Sequence, residues 1–330
     1  MAERQLSFRE AIREALREEM RRDQRVFLIG IDMHHNIINH VVDGLHDEFG
    51  AGRCISTPIV EAGFTGAALG AALTGMRPVV EVGNGCFLMR AYDEVFNEVA
   101  KYRYICGGGE FKAPLVIRVA NFAGIEAGGS AQHGQSTESR FIGSPGIKVV
   151  MPSLPQDAKG LLKTAIRDET PVLFFEHKLL YNSKGNVTDD PEFLLPIGSA
   201  ALRRSGEDVT IVGWGLMVHR AMEAADELAK GGVEADVIDL RTLIPYDRTT
   251  LLASVRKTGR VIFVEEGPKT GGVGAELAAF IGEESFTYLK APVQRVAAPD
   301  TVIPASPYGA KLFIPQAVDI VNAVRSALGT

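Results

Sequence analysis

The sequence predicts an α/β protein made of two doubly wound domains, residues 1–185 and 200–330. Apolar strand-like runs and helical patterns alternate along the chain, which is typical of parallel sheets covered by helices. Residues 183–200 are polar and rich in Gly, Asn, Asp and Pro, as expected of a linker. The alternation restarts after this stretch, so a larger N-terminal domain is predicted to precede a smaller C-terminal one.

Hydrophobic spacing predicts the elements of the first domain. Apolar residues recur at helical spacing over 6–22, and a second helix is predicted at 91–101. Short apolar runs typical of buried parallel strands lie at 26–30, 55–58, 78–82, 115–119, 148–151 and 172–176. Strands and helices therefore alternate throughout this domain.

A helical segment after residue 62 is unusually rich in glycine, with Gly63, Gly66, Gly70 and Gly75. Glycine costs about 1 kcal/mol relative to alanine inside a helix. Two explanations of these glycines stay open. One is the close approach of another backbone or a ligand, and the other is tight packing of one helix on another.

The second domain repeats the pattern of strand and helix. A helix is predicted over 218–230, and another follows the glycine-rich turn near residue 271. Strand-like runs lie at 209–213, 235–239, 260–264 and 293–296.

Composition excludes several classes of protein. The chain has 330 residues, 46% of them apolar, so it can bury a sizeable core. Its net charge of −6 gives no support for binding to nucleic acid or anionic membranes. No run of about 18 apolar residues is present, and the amphipathic N-terminus lacks the apolar region of a secretory signal. Three cysteines without CxxC spacing favour a reducing, cytoplasmic compartment.

Common nucleotide and nucleophile motifs are also disfavoured. GGVGAE at 271–276 lacks the last glycine of a dinucleotide fingerprint, and the preceding Glu265 and Glu266 would repel a phosphate. The GGG run at 107–109 is followed by Glu110, not by the lysine of a P-loop. The sequence contains no GxSxG motif.

The histidines do not form a recognisable metal-binding motif. His34, His35 and His40 lie close together, but no carboxylate or cysteine cluster accompanies them at zinc spacing. We therefore expect a solvated or substrate-proximal loop there, and structural roles for His177 and His219.

Four segments carry the functional information, and Glu61, Phe87 and His133 stand out within them. Taken singly, these residues have ordinary explanations as a helix cap, a core side chain and a loop histidine. The segments are TPIVEAGFTGAALGAALTGMRPVVE (57–81), EVGNGCFLMRAYDEVFNEVAKYRYICGG (81–108), GGSAQHGQSTES (128–139) and PSLPQDAKGLLKTAIRDETPVLFFEHKLLY (152–181).

In this order and at these separations, the segments resemble the β subunits of thiamine diphosphate-dependent 2-oxo acid and acetoin dehydrogenases, which are transketolase-like. The resemblance runs from Leu6 to the C-terminus and includes VIDLRTLIPYD (237–247) and VEEGPKTGGVGAE (264–276). It implies a transketolase-like pyrimidine-binding domain at 1–185 and a transketolase C-terminal-like domain at 200–330.

The resemblance implies catalytic and cofactor-binding roles for three residues. Glu61 matches the family's glutamate that hydrogen-bonds N1′ of the aminopyrimidine and favours its imino tautomer. Its apolar surround is expected from Ile59, Val60 and Phe64. Phe87 matches the aromatic residue that stacks on the pyrimidine, which is worth about 1 kcal/mol beyond burial. His133 matches the histidine implicated in passing the acyl group to lipoamide, although His-Gly-Gln replaces the usual His-Ser-Gln.

A part of the cofactor site is missing from this chain. The family holds Mg²⁺ and the diphosphate with a Gly-Asp-Gly segment, which this sequence lacks. The resemblance therefore implies a separate α subunit, an α2β2 heterotetramer with shared thiamine diphosphate and Mg²⁺, and docking to a lipoyl acyltransferase component.

Family β subunits often carry a structural potassium ion bound largely by backbone carbonyls. The matching stretches are 113–116 and 165–170, where Thr170 stands at a position that is often Asn. The implied ligands are Ala113, Leu115, Val116, Ala165, Asp168 and Thr170.

The sequence indicates the substrate less clearly than it indicates the family. The loop after Gly30 is shorter than usual, with Asp32 as an acidic residue, and Gly-Asn-Gly-Cys follows Glu81. HKLLY (177–181) is similar to acetoin dehydrogenase β subunits. Both loops are expected near the substrate, and their departures from the family pattern favour a substrate other than pyruvate or a branched-chain oxo acid. The resemblance as a whole keeps pyruvate, a branched-chain oxo acid and acetoin as candidate substrates. Half of a split transketolase acting on sugar phosphates and a non-catalytic assembly subunit are the alternatives.

Overall fold

The computed structural model describes residues 4–34, 39–107, 111–121 and 130–329. The chain divides by compactness into two units, and the described part of the first is 4–121 with 140–197. The second unit contains 198–329 together with 130–139. The stretch that carries His133 therefore belongs to the second unit, although this stretch ends about 60 residues before the rest of that unit begins. The domain limits 1–185 and 200–330 stay predictions.

Helices and strands alternate along the described chain. Up to residue 121 they are β1 (Arg4–Ser7), α1 (Phe8–Arg22), β2 (Val26–Ile31), α2 (Leu45–Phe49), β3 (Cys54–Thr57), α3 (Glu61–Leu73), β4 (Arg77–Val82), α4 (Gly85–Leu88), α5 (Tyr102–Ile105) and β5 (Val116–Asn121). Then follow α6 (Ser130–His133), β6 (Lys148–Val150), α7 (Pro155–Arg167), β7 (Val172–His177) and β8 (Lys184–Val187). The last group is β9 (Ala201–Arg204), β10 (Val209–Gly213), α8 (Leu216–Lys230), β11 (Ala235–Asp239), β12 (Thr242–Ile244), α9 (Arg248–Thr258), β13 (Val261–Pro268), α10 (Val273–Ser285), β14 (Gln294–Ala298), α11 (Pro307–Phe313) and α12 (Ala317–Leu328).

Within the first unit the strand order is β6-β7-β5-β4-β2-β3, and all of these pairs are parallel. The central strands β4, β5 and β7 are buried along their whole length, as expected for a parallel sheet covered on both faces. Because the strands are parallel, the loops that follow β3, β4, β5 and β7 leave the sheet at one edge. Ligands of open α/β sheets bind at this carboxyl edge.

The N-terminal strand corrects two predictions. Helix α1 begins at Phe8 and not at residue 6, because Ser7 is extended and forms a capping box with Glu10. Residues 184–187 of the predicted linker form β8, which pairs antiparallel with β1 so that Arg4 lies opposite Val187.

The helix predicted over 91–101 is also interrupted. A short 3₁₀ turn at Met89–Ala91 is followed by a π-helical segment, Glu94–Val99, and by the separate helix α5. Helical spacing of apolar residues does not distinguish an i→i+4 from an i→i+5 hydrogen-bond ladder, so the wider turn was not foreseeable.

Helices α1 and α7 pack against each other through an ionic contact. The side chains of Lys159 and Lys163 on α7 are fully buried, yet both ammonium groups are paired. Lys159 contacts Glu14 and Glu18 of α1 at 2.6 and 2.8 Å, and Lys163 contacts Glu18 at 2.6 Å. Pairing is what makes burial of these charges tolerable.

The second unit contains a sheet of order β14-β13-β10-β11-β9. Four strands are parallel, and only the edge strand β9 runs antiparallel, against β11. Both sheets confirm the predicted α/β class. Among the described residues, no helix has the length and apolar character needed to span a bilayer.

Candidate active site

Glu61 lies where the chain leaves β3 at the carboxyl edge of the first sheet. It is the first residue of α3, and its side chain is only 6% exposed. Within the described part of the chain, its carboxylate takes part in neither a hydrogen bond nor an ion pair, and it keeps a small contact with solvent. A nearly buried carboxylate at a helix N-terminus that has no donor is suited to accept a hydrogen bond from a ligand.

The expected apolar surround of Glu61 is only partly present. Phe64, one turn into α3, is buried. Ile59 is 80% exposed and Val60 45% exposed, so two large apolar side chains face outward immediately before Glu61. The chain immediately before Glu61 therefore presents an exposed apolar surface instead of a buried apolar surround.

Phe87 lies in the loop that follows β4, on the short helix α4. Asn84 caps this helix by accepting a hydrogen bond from the Cys86 amide at 3.0 Å, and Phe87 is half-buried. Burial raises the pKa of the neighbouring Cys86 thiol, with Lys178 lowering it and Glu61 raising it. Cys86 is thus within electrostatic range of Glu61, and both lie on the same edge of the sheet as Phe87.

An ionic network lies in the sheet beneath this edge. Arg118 of β5 donates to Glu81 of β4 at 2.8 Å and, through two nitrogens, to Glu176 of β7 at 2.6 and 2.9 Å. The hydroxyl of Tyr181 donates to Glu176 at 2.9 Å. Burial raises the pKa of Glu81 while Arg118 opposes that rise. Burial alone would lower the pKa of Arg118, but Glu176 and Glu81 hold it above its usual range.

This network ties three neighbouring strands together just below the candidate site. Removing one member of a buried ion pair typically costs about 3–5 kcal/mol, because the remaining charge is left without a partner. Loss of any one of Arg118, Glu81 and Glu176 is therefore expected to destabilise this part of the sheet.

Asn121 ends β5 and is fully buried. Neither its amide nitrogen nor its carbonyl oxygen has a hydrogen-bond partner in the described chain. The opposite residue on β7 is His177, whose Nδ1 accepts from the Leu179 amide at 3.3 Å. An unpartnered carboxamide at this edge is a second group that can bind a ligand or a water molecule.

His133 lies on α6, in the stretch that groups with the second unit, and its side chain is exposed. Gly128 and Gly129, which open its segment, lie outside the described residues, as do His35 and most of the 107–110 run. Five residues further on, Glu138 is buried and accepts a hydrogen bond from the indole of Trp214.

Glu138 belongs to a group of buried carboxyls with Glu265 and Glu266 of β13. Burial, together with the nearby carboxylates of Glu265 and Glu266, raises the pKa of Glu138 to about 8. Burial also raises the pKa of Glu265 to about 7, although it accepts a hydrogen bond from the Gly274 amide at 3.2 Å. Glu138 is therefore mostly neutral at physiological pH.

The residues predicted to hold potassium lie beside three cationic side chains. Asp168 accepts from Lys148 at 2.5 Å through one carboxylate oxygen and from the Thr170 amide at 2.9 Å through the other. Arg77 donates to the carbonyls of Ile166 and Asp168, and Arg103 donates to the Thr170 hydroxyl at 2.9 Å.

These contacts restrict how an ion could bind. Both oxygens of the Asp168 carboxylate already accept a hydrogen bond, one from Lys148 and one from the Thr170 amide. An ion there would take its ligands from backbone carbonyls such as those of Ala113, Leu115 and Ala165. The potassium site stays a prediction.

Two family models match the chain. The one described as "Transketolase, pyrimidine binding domain" matches residues 4–184, and the one described as "Transketolase, C-terminal domain" matches 198–320. The fold and the carboxyl-edge site thus define a transketolase-like protein.

The curated relatives specify the branch of that class. The chain is 44% identical to the 2-oxoisovalerate dehydrogenase subunit beta of Bacillus subtilis (strain 168), over 92% of this chain and 91% of the relative. It is 44% identical to the mitochondrial pyruvate dehydrogenase E1 component subunit beta-2 of Oryza sativa subsp. japonica, over 99% of this chain and 87% of the relative. It is 42% identical to the acetoin:2,6-dichlorophenolindophenol oxidoreductase subunit beta of Cupriavidus necator, over 98% of each. The chain belongs to the transketolase-like family, in the branch of the 2-oxo acid and acetoin dehydrogenase E1 β subunits.

A solved structure agrees with the transketolase-like fold. A split-gene transketolase, solved as an inactive β4 tetramer, matches with a TM-score of 0.79 and 25% identity, covering 98% of both chains. The resemblance inferred from the sequence is confirmed. The roles of individual site residues are not tested by these matches.

Several site residues were not predicted. Arg118, Glu176 and Asn121 lie on strands that are otherwise mostly apolar, and Lys178 and Cys86 lie in segments whose resemblance to the family rests on other residues. Single charged residues inside otherwise apolar strands are the pattern that could have indicated them, since an unpaired charge is not tolerated there.

Proposed function

We propose that this chain is the β subunit of a thiamine diphosphate-dependent dehydrogenase that acts on a 2-oxo acid or on acetoin. In this assignment it supplies the pyrimidine side of the cofactor site and becomes active with an α subunit in an α2β2 heterotetramer. The observation that carries the proposal is the nearly buried carboxylate of Glu61, which lacks a donor in the described chain.

The chemistry of Glu61, Phe87 and His133 fits the pyrimidine side of the cofactor. When bound, thiamine diphosphate would supply the carbon nucleophile that cleaves a carbonyl substrate. Glu61 would accept a hydrogen bond from ring nitrogen N1′ and hold a proton there. Phe87 would pack against the ring and fix its orientation. His133 would move a proton near the acyl group as it passes to lipoamide, since imidazole titrates near neutral pH.

The partner half of the site is part of the proposal. The sequence has no Gly-Asp-Gly segment, so Mg²⁺ and the diphosphate would be held by the α subunit. The exposed Ile59 and Val60 next to Glu61 form an apolar surface that such a subunit would cover. A lipoyl acyltransferase component would then accept the acyl group. A cytoplasmic location remains part of this proposal.

A split transketolase is the second candidate, favoured by the match to the split-gene transketolase structure. Identity of 42–44% to the dehydrogenase subunits, against 25% to that structure, favours the first candidate. A non-catalytic assembly subunit is disfavoured because Glu61, Phe87 and His133 are all retained.

The deciding experiment is reconstitution. The chain is co-purified with a candidate α subunit, supplied with thiamine diphosphate and Mg²⁺, and assayed for dye reduction with pyruvate, branched-chain oxo acids and acetoin, and for ketol transfer with sugar phosphates. We expect dye reduction that needs both chains and falls by at least about 100-fold in Glu61→Ala, since general acid–base groups contribute about 10²–10⁴-fold. Glu283→Ala, at an exposed position of α10, is the control.

Activity of this chain by itself, or an unchanged rate in Glu61→Ala, would contradict the shared-site proposal. Ketol transfer without dye reduction would select the transketolase alternative.

A further inference from the structure

Two histidines and an aspartate come together between β2 and α2. His34 lies three residues beyond the end of β2, and His46 and Asp47 lie in the first turn of α2. One possible ligand atom from each of the three residues lies within 4.8 Å of the other two. We propose that His34, His46 and Asp47 bind one divalent transition-metal ion of the zinc class.

The distances are close to those that an ion requires. The His34 and His46 ring centroids are 4.0 Å apart, with ring planes inclined by 21°. His46 Nδ1 lies 3.9 Å from a carboxylate oxygen of Asp47. With metal–nitrogen bonds of about 2.0–2.1 Å, two ligand atoms on a tetrahedral ion lie roughly 3.4 Å apart. The three ligand atoms therefore need to approach by about 1.4 Å at most.

The side chains that must move are the exposed ones. The metal has to lie in the plane of each imidazole ring, so the His34 ring must turn from its stacked orientation. His34 is exposed and the Asp47 side chain is 84% exposed, so both can adjust without disturbing the core. His46 is the anchored ligand, with a side chain only 22% exposed.

A second observation points to a ligand at the same place. His46 Nδ1 is inaccessible to solvent and has no hydrogen-bond partner in the described chain. A buried polar nitrogen without a partner is unfavourable and needs an explanation. A metal ion on this side of the ring provides the missing interaction.

The ligand set selects the class of ion. Imidazole nitrogens with one carboxylate suit Zn²⁺, Co²⁺ and Ni²⁺, whereas Mg²⁺ prefers oxygen ligands and octahedral geometry. Three protein ligands leave a fourth position for water. The nearby His40 is engaged elsewhere, since its Nδ1 lies 3.3 Å from Asp43. His40 is therefore a matched control from the same loop.

The proposal is independent of the dehydrogenase assignment. It requires no cofactor and no partner chain, and it links the end of β2 to helix α2 within the first unit.

The test uses the full chain without a polyhistidine tag, stripped with a chelator and titrated with ZnCl₂ or MgCl₂ by calorimetry. We expect one saturable Zn²⁺ site per chain, an increase in melting temperature with Zn²⁺ but not with Mg²⁺, and tetrahedral d–d absorption bands when Co²⁺ is bound. His46→Ala should weaken Zn²⁺ binding by at least about tenfold, and His34→Ala, at an exposed position, should do so without affecting folding. His40→Ala should bind Zn²⁺ as the unmodified chain does.

Three results would overturn the proposal. They are absence of saturable Zn²⁺ binding below millimolar concentration, unchanged affinity in His34→Ala, and an equal loss in His40→Ala.

Discussion

Burial raises the pKa of two carboxyl groups of the second unit, those of Glu138 and Glu265. Glu138, Glu265 and Glu266 are all buried. Among the described residues, Arg295 is the one positive side chain that lowers the pKa of Glu265. An added methyl group on Gly267 would lie 3.8 Å from Glu138 Oε1, so the stretch that carries His133 packs directly on β13. A neutral Glu138 allows this contact, because an ionised one would face two further carboxylates.

Stability should therefore fall as pH rises. In the unfolded chain Glu138 loses its proton near pH 4.5, but in the folded chain it holds the proton up to about pH 8. Folding thus takes up a proton between these two values, and the stabilisation present at low pH is lost as pH rises through 8. We expect the melting temperature to fall by several degrees from pH 6 to 9, and Glu138→Gln, which mimics the neutral acid, to fall less.

Glu283→Gln on the exposed face of α10 is the control, and it should follow the unmodified chain. A Glu138→Gln variant with the same pH profile as the unmodified chain would show that Glu138 is not the titrating group.

At the scale of elements, the glycines of α3 lie on an exposed face. Gly63, Gly66 and Gly70 are exposed, and added Cβ atoms on Gly66 and Gly70 would meet nothing within 4 Å in the described chain. The tight packing considered from the sequence is therefore absent within the described part of this chain at these two positions. The remaining interpretation is close approach of another backbone or a ligand, and the exposed Ile59 and Val60 lie beside the same helix.

The variant Gly66→Ala distinguishes packing within this chain from the approach of another chain. In the isolated chain it should raise the melting temperature by about 1–3 °C, because alanine is favoured in a helix by about 0.5–1 kcal/mol and has room here. If a partner helix packs on this face, the same change should weaken assembly with the α subunit, measured by size-exclusion chromatography at decreasing concentration.

Gly146→Ala is the contrasting variant. Its backbone has φ of +101°, and an added Cβ would lie 1.9 Å from the Ala100 carbonyl oxygen, so it should lower the melting temperature. Destabilisation of the isolated chain by Gly66→Ala would instead mean that its helix face is already packed.

At the scale of the whole molecule, the chain offers only the pyrimidine side of the proposed cofactor site. The isolated chain should bind thiamine and thiamine diphosphate with similar, weak affinity, because it lacks the segment that holds the diphosphate and Mg²⁺. With an α subunit, thiamine diphosphate should bind at least about 100-fold more tightly than thiamine, and only when Mg²⁺ is present. Calorimetric titration with both ligands measures this difference, and strong Mg²⁺-dependent binding by the isolated chain would contradict it.

The sequence by itself determined the α/β class, most strand positions and the family. The class and the strand positions follow from patterns that are local along the chain, such as the apolar runs of β2, β5 and β7. The family follows from the order and spacing of the segments that contain Glu61, Phe87 and His133. Element bounds were less accurate where a distant segment decided them. The strand β1 exists because β8 pairs with it, which no local pattern indicates.

Only the tertiary structure decided which polar groups meet. Arg118 meets Glu81 and Glu176 because three strands that are distant in sequence are neighbours in the sheet. Similarly, His46 and Asp47 reach His34 across 12 and 13 residues, a separation at which no ligand spacing is recognisable. Hydrophobic periodicity reports which face of an element is buried, whereas contacts between charged side chains depend on the order of strands and on the course of loops, which periodicity does not encode.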